Sequence, residues 1–180
     1  MVEVNSRVSA AWSKWGSLTG VLCDRKIPER LKSKIYRAVV RPPAMYGAEC
    51  WSATKKTESR LSVLETKMLR WMAGVTRLDR TRNDAIRQKF GVAPIADKMR
   101  EARLRWYGHV LRGEEYSVRK IGLKFEVVGK RPRGCPKQRW LDTLHTDLKI
   151  TGIHPDLELD RERWRHNTRI AEPATMRDKR

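Results

Sequence analysis

The chain has 180 residues, of which 40 are Lys or Arg and 21 are Asp or Glu, giving a formal net charge of +19 beside an apolar share of 39%. That length allows one ordinary domain or two small ones with a real core, and the charge points first to nucleic acid and second to an anionic membrane surface. Three widely spaced cysteines without a CxxC, no basic leader running into an apolar stretch, and no run of about 18 apolar residues argue against a disulfide framework, a structural metal site, a signal peptide and a membrane span.

In chain order, Val8, Ala11, Trp12, Trp15 and Leu18 recur at three and four residues and predict a helix ending near Gly20. Burial is preferred to base stacking for its two tryptophans. Pro28 suits the start of a second helix whose apolar stripe is Leu31, Ile35, Ala38 and Val39, with Arg30, Lys34, Arg37 and Arg41 opposite and a stop before Pro42-Pro43. Thr54 can cap a third helix lined by Leu61, Leu64, Met68, Trp71 and Met72, with Gly74 as its stop. Ile86 and Phe90 then mark a short helix ended by Gly91. Pro94 opens the best-defined helix, in which Ile95, Met99, Ala102, Trp106 and Val110 face inward while Lys98, Arg105 and Arg112 repeat every seventh residue on another side. Arg100 and Arg103 widen that positive strip. Residues 51–113 carry 15 basic against 6 acidic groups, which makes this the most cationic third.

Between Glu114 and Val128 the alternation of Ile121, Leu123, Phe125 and Val127 hints at a strand, although Val118 and Ile121 also fit a helix. The next stretch, GKRPRGCPKQRW from Gly129 to Trp140, holds Lys130, Arg131, Arg133, Lys137 and Arg139 with two prolines and no acid. Pro132 and Pro136 fix φ and remove donors, so an extended segment with splayed cations is expected, of the kind that lies along phosphates or in a narrow minor groove. It differs from the minor-groove AT-hook at Cys135, where the groove-entering arginine is missing. Lys130 to Arg133 is also compatible with nuclear import. Pro136 can start a helix sharing Trp140, Leu141, Leu144 and Leu148 and ending at Gly152, and His154-Pro155 begins a last polar helix with Leu157 and Trp164. The expected fold is mainly α: a helical bundle-like region over 1–113 and a small basic helical unit over 114–180.

Catalytic chemistry is not legible. No Asp-Asp pair suits a two-metal centre, no GxSxG surrounds a serine, and no Walker loop or GxGxxG occurs. No catalytic residue, metal or cofactor is therefore expected.

The strings KIYRAVVRPPAMYGAECW, ETKMLRWMAGVTRLDRTRNDAIR, KMREARLRWYGHVLR, GKRPRGCPKQRW and RDKR follow one another along the chain. In this order they resemble the C-terminal portion of reverse transcriptases of RTE-like non-LTR retrotransposons, from about Arg7 to Arg180. The resemblance implies a helical thumb followed by a basic region that grips template RNA and target DNA. The palm and its Tyr/Phe-x-Asp-Asp motif would precede Met1. It also implies nucleic-acid contacts from Arg100, Arg103 and Arg105 on the long helix and from Lys130, Arg131, Arg133, Lys137 and Arg139 in the loop, with weaker grip at Cys135 where related sequences place Arg.

The resulting expectation is an intracellular, nucleus-compatible chain that binds RNA, DNA or their hybrid without sequence preference and is inactive alone. Two alternatives stand beside it: an accessory part acting with a catalytic palm in trans, and a translated relic without function. Loss of a palm would leave an apolar face on the first two helices, so self-association is also expected.

Overall fold

A computed structural model of the chain describes residues 2–124, 133–134, 138–170 and 173, and these are mainly α-helical with no strand among them. They form two compact units. The first holds the described residues of Met1–Gly47, Lys55–Met99 and Ile170–Arg180, and the second those of Ala48–Thr54 and Arg100–Arg169. The boundary expected at Gly113 falls inside the second unit, because Leu104 shares a core with Leu144, Leu148, Ile153 and Trp164.

In the first unit α1, Val2–Leu22, buries Ala11 and Trp15 on the face that the sequence indicates and runs two residues past Gly20. Helix α2, Glu29–Ile35, does not stop before the two prolines. It passes through a π-helical turn, Tyr36–Val40, into α3, Arg41–Met45, with the Arg41 N–H bonded to the Tyr36 carbonyl. Pro42 and Pro43 fall in the first turn of α3 and bring no N–H to bond back to the turn before them. The wide turn is the local adjustment that lets the rod continue.

The inward face of this rod differs from the expected stripe. Lys32, Ser33, Tyr36, Val40 and Arg41 are buried, while Leu31 and Val39 are 47% and 40% exposed. Buried cations are tolerable only when their donors are satisfied. Lys32 Nζ reaches the Met72 carbonyl at 3.5 Å, and Arg41 reaches Glu65 and the Ala93 carbonyl.

Helix α4, Lys55–Ala73, buries Leu61, Leu64, Glu65, Met68, Leu69 and Met72, whereas Trp71, expected inside, is 58% exposed. It ends at Gly74, whose φ of 65° lets its own N–H bond to the Trp71 carbonyl and the Val75 N–H to that of Arg70. Helix α5, Asn83–Phe90, buries Ile86 and Phe90 and closes at Gly91 in the same way.

Helix α6, Ile95–Leu111, begins in the first unit and continues into the second from Arg100. The following segment is helical, α7 over Val118–Lys124, so the strand hinted at by the alternation does not form there, and Phe125 and Val127 lie outside the described residues. Helix α8, Trp140–Thr151, ends at Gly152 as expected. The single last helix of the sequence reading is instead a 3-10 turn, Pro155–Leu159, and α9, Arg161–Thr168. Asp160 makes the break by capping α9, accepting from the Glu162 and Arg163 N–H groups at 3.1 and 2.9 Å.

Trp164 is the centre of the second unit. Its indole N–H donates to the Leu104 carbonyl at 3.0 Å, its ring lies 6.1 Å from that of Tyr107, and Gly108 provides the space for it. A Cβ at position 108 would fall well inside contact of Trp164 Nε1 and 2.6 Å from Cε2. This close approach is the packing reason for a glycine in mid-helix. Gly108→Ala is expected to destabilise the unit by about 1–3 kcal/mol despite alanine's better helix propensity. Urea unfolding followed by Trp fluorescence checks this, and a stability equal to or above wild type would show that Trp164 can move aside.

Candidate nucleic-acid interface

The cations singled out on α6 do not form one strip. Arg103 is fully buried, its Nε and Nη2 donating to the two carboxylate oxygens of Asp147 at 2.7 and 3.2 Å. Arg100, about one-fifth exposed, lies against the same carboxylate at 3.4 Å. Arg105 is exposed and pairs with Glu101 one turn earlier at 2.6 Å. A buried guanidinium engaged in a bidentate pair cannot reach a phosphate, so Arg103 is corrected from a contact residue to a structural one. The cause is its neighbour in the helix: with Leu104 and Gly108 turned to α8 and α9, Arg103 is carried inward beside them.

Of the loop cations, Arg133 and Arg139 are exposed, and Lys130, Arg131 and Lys137 lie outside the described residues. Arg139 precedes α8, where its backbone N–H donates to Asp142 at 2.9 Å. The start of α8 is further tied by the Trp140 indole N–H, which donates to the Glu49 carbonyl at 2.7 Å.

A different set of cations converges in the first unit. A groove of about 1260 Å³ runs beside the C-terminal half of α4 and the loop that follows it, with Trp12, Val63 and Trp71 as apolar surface and Lys67, Arg70, Arg77 and Arg80 as cations. No Asp or Glu among the described residues lines it. Arg70 builds the loop rather than facing out: it donates to the Thr81 carbonyl at 3.0 Å, to Asn83 Oδ1 at 3.3 Å and to the Thr76 carbonyl. Asp79 closes the same loop, accepting from the Thr76 hydroxyl at 2.8 Å and from its backbone N–H. Those bonds hold the Asp79 carboxyl below its ordinary range. Arg80 sits at φ 49°, a left-handed conformation that a side chain adopts at a cost of about 1 kcal/mol or more. The loop bonds on either side keep it there and set Arg80 on the rim.

This groove is not legible in the sequence. Trp71 fits the apolar stripe of α4 by spacing, and Arg77 and Arg80 lie in a segment without periodicity. The usable signal was the acid at core spacing, Glu65, which marks a helix turned so that Trp71 faces outward.

Among the described residues no three His, Cys, Asp or Glu side chains gather as a metal ion would require, and no helix is long and apolar enough to cross a membrane. The chain matches no protein-family model, no curated protein and no solved structure.

Proposed function

We propose that the chain is a sequence-nonspecific nucleic-acid-binding module, the part that follows the palm in a reverse transcriptase of the non-LTR retrotransposon type. The observation that carries this reading is the groove of the first unit, where Lys67, Arg77 and Arg80 are exposed and have no ion-pair partner among the described residues. Uncompensated cations on a chain of net charge +19 favour phosphate strands, because each phosphate they neutralise releases a counterion condensed on the strand. The order of sequence strings supports the polymerase origin, and Arg133 and Arg139 add exposed charge in the second unit.

The test is binding of fluorescent single-stranded DNA, RNA and hybrid duplex as a function of salt. With about six phosphate contacts, the logarithm of affinity falls against the logarithm of salt with a slope of roughly −4 to −5. A slope near zero, or no binding at low salt, would remove the proposal. Primer extension by the chain alone with Mg²⁺ is expected to give no product.

A further inference from the structure

We infer that the groove of the first unit is a stacking site for an unpaired base of a single strand, with Trp71 as platform and Lys67, Arg77 and Arg80 on the flanking phosphates. This deepens the nucleic-acid reading above and rests on it.

Three observations select that occupant. Trp71 exposes 58% of its surface although it is a large aromatic residue on a helix whose other large apolar side chains are mostly inside. Trp12 supports it from behind, with ring centroids 5.8 Å apart and planes tilted by 58°. That separation is too short to admit a base between the rings, which needs roughly 7 Å, twice a carbon contact distance of about 3.5 Å. A base therefore lies on the outer face of Trp71, with Trp12 fixing the indole's orientation. The three exposed cations surround this apolar platform, and no carboxylate among the described lining residues opposes a phosphate. A duplex presents its bases edge-on and stacked, leaving a single aromatic face without a partner, whereas a single strand offers π-faces freely. An acidic peptide would satisfy the cations but not the exposed indole face, since stacking contributes for any nucleobase and for few acidic side chains.

Equilibrium binding of a fluorescent oligothymidylate and of a duplex of equal length decides the matter, with Trp71→Ala, Trp71→Phe, the double variant Arg77→Gln/Arg80→Gln, and Tyr116→Ala as a control. Tyr116 is 90% exposed and lies in the other unit. Trp71→Ala is expected to weaken single-strand binding by about tenfold with an unchanged salt slope. Trp71→Phe should restore most of that loss, and quenching of Trp fluorescence on binding should fall in both Trp71 variants. The double Arg variant should flatten the slope by roughly 0.7 per lost contact, and Tyr116→Ala should change nothing. If wild type binds with a steep salt dependence but the Trp71 and Arg77/Arg80 variants bind equally well, the groove assignment is wrong and the general reading survives. If wild type binds neither probe, both fall. Preference for the duplex, retained in Trp71→Ala, also overturns the stacking site.

Discussion

Replacing Glu65 by alanine is expected to destabilise the first unit by about 3–5 kcal/mol, the range for leaving a buried charge without its partner. Glu65 is fully buried on α4 and is the acceptor at which distant parts of the unit meet. Its Oε1 takes the Tyr36 hydroxyl at 3.2 Å and Arg41 Nη2 at 3.1 Å, and its Oε2 takes the Ile95 N–H at 3.0 Å and lies 3.5 Å from Arg87 Nε. Alanine would take the Glu65 carboxylate from the Arg41 guanidinium, which is only 6% exposed, and the acceptor from a backbone donor at the start of α6. Chemical unfolding followed by far-UV circular dichroism measures the loss, and a change below about 1 kcal/mol would show that water enters and satisfies the cluster.

The same cluster sets an alkaline limit. Burial, with the Glu65 charge adding to it, pushes the Tyr36 phenol far above its ordinary value near 10. The unfolded chain ionises this tyrosine near pH 10 and the folded chain does not, so the stability it contributes is whole below about pH 10 and declines as pH rises beyond that. Tyr36→Phe should be less stable at neutral pH yet lose less on going to alkaline pH. An unaltered pH profile would mean that the phenol ionises in place.

Arg103→Ala is the second large effect, again about 3–5 kcal/mol, because it takes the bidentate partner from an Asp147 carboxylate that is 5% exposed and leaves Arg100 beside it at 3.4 Å. Arg100→Ala, on the rim of the same pair, should lose far less. The double replacement Arg103→Met/Asp147→Leu is expected to recover most of the stability, since removing both charges also removes their desolvation penalty. Nucleic-acid binding separates this role from a contact role: a buried, paired guanidinium holds no counterion to release, so the salt slope of folded Arg103→Ala should equal that of wild type. A flattened slope with unaltered stability would restore Arg103 to the interface.

Much of the helical layout is written locally. The glycines at 74, 91 and 152 close α4, α5 and α8, and the Pro94 start of α6 and the Ala11/Trp15 face of α1 lie where spacing puts them. These features depend on interactions within a turn or two of chain. Local signals also misled where a partner far along the chain decides the outcome. Leu31 and Val39 read as core, yet Lys32 and Arg41 are inside, because Met72 and Glu65 sit opposite them. Arg103 reads as surface by its charge, yet Asp147, 44 residues on, brings it in. Acids at core spacing, Glu65 on α4 and Asp147 on α8, were the visible clue that some cations would be buried beside them.

Composition and periodicity were thus sufficient for a mainly helical, strongly cationic chain, because helix formation and net charge are sums over near neighbours and over residues. Which cations stay outside was settled only in three dimensions, by where the buried carboxylates stand. A guanidinium opposite Glu65 or Asp147 becomes part of the core, and one without such a partner, as at Arg77 and Arg80, remains available to an anion from outside.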